Sequence, residues 1–261
     1  MARIFLLRHG QSYHNHHIHN ILKTHNISHL PWWEIEDIHD PKIRDTDLTP
    51  TGIEQARALN QAISELNPSL IIASPLTRSI RTAHEACGHC GAPFHITPLL
   101  REQSFSICDV GTPPSKLIEQ WPQYASQLSD LTSDWWCNTE EQKQYVNDTY
   151  LDLPSEAYRE SWQHLQDRIE DLVAYVEEQI RQGHHTIVLV GHAVLFYGIT
   201  GRWVNNCQLI ELKLDEIRQR CECSGIVCKC EGENVSYLTP AIVSEEKEKA
   251  HQKETEVKQE N

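Results

Sequence analysis

The sequence predicts an α/β protein, a three-layer α/β/α sandwich in which helices cover both faces of a mainly parallel, doubly wound sheet. Two observations carry this prediction: short apolar runs alternate with segments of helical periodicity, and the run 186–190 is continuous and rich in β-branched residues, as in a buried central strand. The chain has 261 residues, 39% of them hydrophobic and 23% charged, which is ordinary for a globular protein. We expect a single domain over residues 1–243, followed by a charged polar tail over 244–261.

The individual elements follow from periodicity and capping residues. The apolar run 2–7 predicts a first strand, and Thr49-Pro50 predicts the start of a helix whose apolar residues continue at helical spacing to Leu66. Gly183 is expected to end a long amphipathic helix. The other expected elements are strands over 70–73, 94–96, 186–190, 208–214 and 234–238, and helices over 77–87, 155–182 and 193–202.

Residues 108–153 have a different character, with prolines and tryptophans scattered among polar residues. We expect this stretch to be an irregular insertion that covers the site and selects the substrate. Its tryptophans, like Trp32 and Trp33 after the first strand, either line a pocket or form a small core beneath the loops. The pattern alone leaves both interpretations open.

Composition restricts the partners of the protein. A formal net charge of −14 argues against binding to nucleic acid, because the two surfaces would repel each other. A local group of arginines could still bind a small phosphate ester, since distant charges are screened. No segment has the apolar length of a membrane span, and residues 1–4 lack the layout of a signal peptide, so we expect a cytoplasmic protein that does not bind membranes.

Arginines and histidines occur where three predicted strands end. Arg8 and His9 follow the first strand, His192 follows the strand 186–190, and Arg78 lies in the first turn of the helix after strand 70–73. Each could be explained singly by a chance turn, a core histidine or a surface ion pair. Right-handed crossovers, however, bring the ends of parallel strands to one edge of the sheet. Two guanidinium groups and two imidazoles would then meet there, with the N-terminus of the helix that carries Arg78 adding backbone donors, as a site for a dianion.

Six segments in order make the chain, from Ile4 to about Trp203, resemble the histidine phosphatase superfamily, of the phosphoglycerate-mutase-like, branch 1 type. The segments are Arg8-His9-Gly10-Gln11-Ser12 with Asn15; Asp47-Leu48-Thr49 with Gly52, Gln55 and Ala56; Ser74-Pro75-Leu76 with Arg78, Thr82 and Ala83; Leu100-Arg101-Glu102-Gln103; Glu160-Ser161 with Arg168; and Gly191-His192. One departure is Ser106, which follows Phe105 where members of the family often have glycine.

The resemblance implies a phosphoglycerate-mutase-like fold and a phosphomonoesterase that needs no metal or other cofactor. It would hydrolyse a small phosphorylated metabolite through a phosphohistidine on His9. In the roles that the resemblance implies, Arg8, Arg78 and His192 bind the phosphoryl oxygens. Glu102 donates a proton to the leaving group and later accepts a proton from the attacking water. The further phosphate-binding residues implied are Gln11, Ser12 and Asn15. A phosphomutase of the phosphoglycerate type and a non-enzymatic phosphate-ligand-binding protein are the alternatives.

Nine cysteines in a chain of this size indicate free thiols or metal ligands rather than disulfides. A C-terminal hairpin over 207–238 would place two Cys-x-Cys pairs on one face, where four thiolates could bind a structural zinc ion. The alternative is a hairpin with free thiols. The four candidate ligands are Cys221, Cys223, Cys228 and Cys230. The histidine-rich run 14–19 is expected to form part of the pocket wall, with metal binding as an alternative there. The pattern predicts no oligomeric state.

Overall fold

A computed structural model describes residues 2–24, 41–146 and 157–212 of the chain. Within these ranges a five-stranded sheet has the order β3-β2-β4-β1-β5. Strand β5 is antiparallel to β1, and the other neighbouring strands are parallel, which confirms the mainly parallel sheet. The strands are β1 (Arg3–Arg8), β2 (Leu70–Ala73), β3 (Phe94–Ile96), β4 (Thr186–Gly191) and β5 (Leu209–Leu212).

Helices flank this sheet, and short 3-10 turns connect several of them. The described helices are α1 (Tyr13–Thr24), α2 (Pro50–Arg57), α3 (Asn60–Leu66), α4 (Thr77–Cys87), α5 (Pro114–Gln120), α6 (Ala125–Leu128), α7 (Glu140–Lys143), α8 (Trp162–Arg181) and α9 (Ala193–Thr200). The 3-10 turns are Pro41–Ile43, Gly88–Cys90, Pro98–Leu100, Ile107–Asp109 and Pro122–Tyr124. Across the three described ranges, no helix has the length and apolar character required to cross a membrane.

The core has two layers because alternate residues of a strand point to opposite faces of the sheet. Ile4 and Leu6 of β1 pack in one buried cluster with residues of α8 and α9. Phe5 and Leu7 pack in another with residues of α2, α3 and α4. Helices therefore cover both faces of the sheet, which confirms the three-layer α/β/α arrangement.

The register of the central strands decides where the polar residues meet. In the parallel pair β1·β4, Arg8 lies opposite Gly191, so both strands end at the same level. The backbone N–H of His9 then donates to the carbonyl of Gly191 at 3.0 Å. The two histidines that follow these strands are therefore neighbours, as the sequence predicts.

Three predicted helices have different bounds in the structure, and the smallest difference is at α9, which ends at Thr200 rather than at about residue 202. The single helix expected from Thr49 to Leu66 is divided into α2 and α3. The break precedes Asn60, whose side chain donates to the carbonyls of Glu85 and Ala86 at the end of α4. The helix expected over 155–182 begins only at Trp162, because Ser161 caps its first turn.

The insertion has its own core and several short helices. Trp121, Trp135 and Trp136 are buried, at 3–4% exposure, against Leu76 and Ile80 among others. The core interpretation of these three tryptophans is therefore correct, and α5, α6 and α7 replace the irregular chain that we expected. Trp32, Trp33, the proposed strand 234–238 and the tail 244–261 lie outside the described residues, and the domain extent 1–243 stays a prediction.

Candidate active site

His9 lies directly after β1 and is 3% exposed. Its Nδ1 lies 2.7 Å from the carbonyl oxygen of Gly10, which can only accept, so Nδ1 carries the proton and Nε2 carries the lone pair. The side chain of Asn206 donates to the carbonyl of His9 at 2.8 Å. Burial, and then the charges of Arg78 and Arg8, hold the pKa of His9 well below its ordinary value. The imidazole is therefore neutral at physiological pH.

His192 is completely buried beside His9. The two ring centroids are 5.1 Å apart, with 57° between the ring planes. Its Nε2 lies 2.9 Å from the hydroxyl of Ser74 and 3.2 Å from that of Ser79. Its Nδ1 is buried and has no hydrogen-bond partner within the part of the chain that is described. Burial, followed by Arg78 and His9, holds the pKa of His192 well below its usual range.

Arg8 is buried without an ion pair to a carboxylate among the described residues. Its Nη1 donates to the carbonyl of Val204 at 2.9 Å, while its buried Nε has no partner in the same part of the chain. Burial lowers the pKa of Arg8 to about 10, so the guanidinium keeps its charge at neutral pH. A buried cation with a free N–H is poised to receive an oxyanion.

Arg78 is held differently, at the start of α4. Its Nη1 donates to the carbonyl of Cys108 and its Nη2 to Oδ1 of Asp109, both at 2.8 Å. Burial alone lowers the pKa of Arg78, but the thiol of Cys108 and nearby carboxylates outweigh burial and raise that pKa above its ordinary value. The backbone N–H of Thr77, the first donor of α4, bonds to Asp45 at 2.8 Å. This donor, which we expected to face the phosphate, is therefore already engaged.

Glu102 caps the first turn of α9. One carboxylate oxygen accepts from the backbone of Leu195 at 3.0 Å, and the other accepts from Val194 at 3.2 Å. Burial, and then the charge of Asp109, raise the pKa of Glu102, whereas the two amides and Arg78 oppose this shift. Two features of the protein itself, the burial of the carboxyl and the charge of Asp109, therefore raise this pKa before any ligand binds.

A buried Arg–Glu–Arg group supports the backbone on either side of Glu102. The carboxylate of Glu160, whose side chain is fully buried, forms salt bridges with Arg101 and Arg168. Arg168 also donates to the carbonyls of Leu99 and Arg101 at 3.0 and 2.8 Å. These contacts explain why the resemblance includes Glu160 and Arg168, to which the sequence assigned no role.

Asn15 and Ser12 bond to each other at the start of α1. The Ser12 hydroxyl accepts from the backbone of Asn15 at 3.2 Å, and Oδ1 of Asn15 accepts from the backbone of Ser12 at 3.3 Å. The amide of Asn206 also donates to Oδ1 of Asn15. The contacts to phosphate predicted for Asn15 and Ser12 stay predictions.

Gln11 joins two loops of the site. Its Oε1 accepts from the hydroxyl of Thr49 at 2.8 Å, so its described contacts are structural, and its predicted role at the phosphate stays a prediction. The same loops approach so closely that a Cβ at Gly10 would lie 2.5 Å from the carbonyl oxygen of Gly52. Only glycine fits there.

His14 is a third imidazole near the two arginines. Its Nε2 is buried and has no partner in the described segments. Burial, followed by Arg78, His17 and Arg8, lowers the pKa of His14 to about 3, so this ring is neutral as well. The histidine-rich run indicated a pocket wall, but no pattern distinguished His14 from its neighbours. Sequence reasoning missed Asn206 and Asp109 altogether.

No metal site is formed by the residues that the structure describes, in which no three His, Cys, Asp or Glu side chains are arranged to hold an ion. Cys221, Cys223, Cys228 and Cys230 lie outside those residues, so their zinc site stays a prediction. The cysteines within the described ranges are free thiols.

The geometry gathers two guanidinium groups and several neutral imidazoles at one buried site. Arg8, His14 and His192 each have one buried nitrogen without a partner in the described chain. An unsatisfied buried polar atom costs roughly 1–3 kcal/mol, so such atoms mark where a ligand would be stabilised. A tetrahedral oxyanion offers several acceptors at once, and the lone pair of His9 could reach its central atom.

Comparison with protein families identifies the class. The model of the histidine phosphatase superfamily (branch 1) matches residues 33–238. The chain therefore belongs to this superfamily and is a phosphatase of the histidine phosphatase type. The matched range contains Arg78, Glu102 and His192. Arg8 and His9 precede it, and their place in the site rests on the register of β1 and β4.

Solved structures to which the chain is similar include phosphatases from bacteria and from an insect. An ecdysone phosphate phosphatase from Bombix mori, in complex with tungstate, has 16% identity and a TM-score of 0.49 over 82% of this chain and 89% of its own. The alpha-ribazole phosphatase from Shigella flexneri has 21% identity and a TM-score of 0.46 over 81% and 90%. A mycobacterial glucosyl-3-phosphoglycerate phosphatase has 19% identity and a TM-score of 0.46 over 82% and 93%.

These similarities are too distant to identify a substrate. No curated protein sequence matches the chain significantly.

Proposed function

We propose that the protein is a metal-independent phosphomonoesterase that hydrolyses a small phosphorylated metabolite through a phosphohistidine on His9. One observation carries the proposal: the rings of His9 and His192 are 5.1 Å apart at a buried site shared with Arg8 and Arg78. Two neutral imidazoles beside two guanidinium groups suit the transfer of a phosphoryl group, whose equatorial oxygens carry negative charge.

In the first step, the lone pair on Nε2 of His9 attacks phosphorus, and the bond from phosphorus to the ester oxygen breaks. Glu102 gives its proton to the departing alkoxide. The hydrogen bond from Nδ1 of His9 to Gly10 supports this step, because it fixes the tautomer and stabilises the imidazolium-like product. Arg8, Arg78 and His192 hold the phosphoryl oxygens throughout.

In the second step, water attacks the phosphorus of phosphohistidine, and the P–N bond breaks. The Glu102 carboxylate takes the proton of the attacking water, inorganic phosphate leaves, and Nε2 of His9 regains its lone pair. An acid that becomes a base within one cycle must have a pKa near the working pH. The upward shift for Glu102 supports this double role.

The distribution of charge in the protein supports two parts of this proposal. The substrate is a small phosphate ester, and side chains supply the positive charge that faces its phosphoryl group. The net charge of −14 opposes approach to a nucleic acid, whereas Arg8 and Arg78 attract a single phosphate at short range. The two arginines take the part that a metal ion plays in other phosphatases. We further propose the cytoplasm as the compartment, where reducing conditions keep thiols such as Cys108 free.

The test combines steady-state release of phosphate with trapping of the phosphoenzyme. We expect the protein to release inorganic phosphate steadily from p-nitrophenyl phosphate, and a reaction quenched with alkaline denaturant to contain an acid-labile, base-stable phosphoprotein. The His9→Ala variant should lose both, with at least about a 10³-fold fall in kcat. His16→Ala changes an exposed histidine of the following helix, α1, and is the matched control.

Other outcomes would identify the rival functions. Phosphoprotein without steady phosphate release indicates a mutase, because a mutase must protect its phosphoenzyme from water. Phosphate binding without phosphoprotein or turnover indicates a binding protein. Turnover that survives in His9→Ala contradicts the assignment of the nucleophile.

A further inference from the structure

The turn after Glu102 is built around the residue that departs from the family pattern. Ser106, which stands where glycine is common, begins the 3-10 turn Ile107–Asp109. Its hydroxyl accepts from the backbone of Cys108, while Oδ2 of Asp109 accepts from the backbone of Ser106 at 3.4 Å and of Phe105 at 3.2 Å. This reciprocal capping fixes the carboxylate of Asp109 in one orientation.

The turn holds one edge of Arg78. Oδ1 of Asp109 accepts from Nη2 and the carbonyl of Cys108 accepts from Nη1, each at 2.8 Å. The side chains of Arg78 and Asp109 are only 3% and 6% exposed, so water does not screen the pair. An arginine side chain loses considerable rotamer entropy when it is fixed. Here that loss occurs on folding, before any substrate binds.

The same carboxylate acts on Glu102. After burial, the charge of Asp109 is the largest cause that raises the pKa of Glu102. The opposing groups are the amides of Val194 and Leu195 and the guanidinium of Arg78. Arg8 also interacts with Glu102 and favours its charged form. The charge of Asp109 therefore acts on Glu102 in the same direction as burial and opposite to that of the two cations.

We propose that Asp109 is a positioning residue for the phosphatase reaction: held by the Ser106-capped turn, it aims Arg78 at the phosphoryl group and places its negative charge in the loop that carries Glu102. The proposal rests on the proposed function and deepens it. It also gives a physical role to the replacement of glycine by serine at residue 106.

The test is the pH dependence of kcat/KM in Asp109→Asn. The protonated form of Glu102 is the active form, so activity falls as pH rises through the pKa of Glu102. Removing the negative charge of Asp109 lowers the pKa of Glu102. The high-pH limb, meaning the fall of kcat/KM at high pH, should therefore move down by about 0.5–1 pH unit, with about a tenfold fall in kcat. The loss should be greater for an alkyl phosphate than for p-nitrophenyl phosphate, whose leaving group needs little protonation.

Two comparisons separate this role from general damage to the fold. Asp45→Asn removes another buried carboxylate beside Arg78 but should leave the high-pH limb in place. The Glu102→Gln variant lacks the titrating carboxyl, so adding Asp109→Asn to it should cause no further change in the pH dependence of kcat/KM. If Asp109→Asn does not fold, Asp109→Ser keeps an oxygen acceptor in the turn without its charge, and the same downward shift is expected.

The proposal is overturned if folded Asp109→Asn or Asp109→Ser has the same high-pH limb of kcat/KM and the same kcat as the wild type. Such a result leaves the proposed function intact if the wild-type protein still forms phosphohistidine. Absence of phosphohistidine in the wild type rejects the proposed function itself.

Discussion

Two regions of the site handle charge in different ways. At the ends of β1 and β4, Arg8, His9 and His192 are buried, and within the described chain none of them bonds a carboxylate. In the loop 102–109, the carboxylates of Glu102 and Asp109 each accept several N–H bonds, and Asp109 also pairs with Arg78. The strand ends leave nitrogens free for a ligand, whereas the loop fixes its acids before the ligand arrives.

The difference shows how a stable fold can contain a reactive site. Free buried nitrogens cost roughly 1–3 kcal/mol each. They occur where fully buried strand residues such as Leu6, Leu7 and Val190 supply hydrophobic stabilisation nearby. A buried carboxylate without partners would cost more, and here the loop backbone, the first turn of α9 and Arg78 supply those partners.

The two arginines provide the strongest test of this comparison. Arg8→Ala and Arg78→Ala should each lower kcat/KM by about 10²–10³-fold, because each removes a donor to the transferring phosphoryl group. Only Arg78→Ala leaves a buried carboxylate, Asp109, without its cation. It should therefore lower the free energy of unfolding by about 3–5 kcal/mol, measured by urea denaturation, with a much smaller loss in Arg8→Ala. Equal losses in the free energy of unfolding in Arg8→Ala and Arg78→Ala would contradict the distinction between the strand ends and the loop.

His14 extends the first region and should contribute to binding rather than chemistry. His14→Phe keeps a ring of similar size but removes the buried nitrogens, so KM should rise about tenfold while kcat changes less than about threefold. The control is His16→Phe, which changes an exposed histidine of the same helix. The kcat and KM of this variant should match those of the wild type. A large fall in kcat with unchanged KM would place His14 in the chemical step instead.

The smallest effect is expected from a chelator. If Arg8 and Arg78 supply the positive charge of the site, EDTA should leave the initial rate of phosphate release unchanged within about twofold. Metal analysis of the same sample measures any zinc bound elsewhere, including at the predicted cysteine site. Loss of activity on chelation, restored by a metal ion, would contradict the metal-independent mechanism.

The strand-end half of the site could be predicted because its signals are local. An apolar run followed by arginine, histidine or glycine indicates a strand with polar residues directly after it. Parallel topology then brings the ends of such strands to one edge of the sheet. The prediction placed His9 and His192 side by side, and the register of β1 and β4 agrees.

The loop half could not be predicted in the same way. Asp109 belongs to a stretch that has no periodicity, and its partner Arg78 is 31 residues away. The spacing Ser106-x-x-Asp109 is that of reciprocal capping and could have indicated how this carboxylate is held, but its pairing with Arg78 depends on tertiary contacts that no sequence spacing encodes. Similarly, the helix predicted from residue 155 starts later, after the Ser161 cap, and Glu160 just before the cap is bound between Arg101 and Arg168, a pairing that is visible only in three dimensions.

The central claim is that phosphate passes through Nε2 of His9. Rapid quench with alkaline denaturant during turnover of p-nitrophenyl phosphate, followed by proteolysis and mass spectrometry under alkaline conditions, tests it most directly. The account predicts one phosphopeptide, containing residues 9–16, with phosphate on His9 and none on His14 or His16. Phosphate on another residue, or turnover with no phosphopeptide, would contradict it.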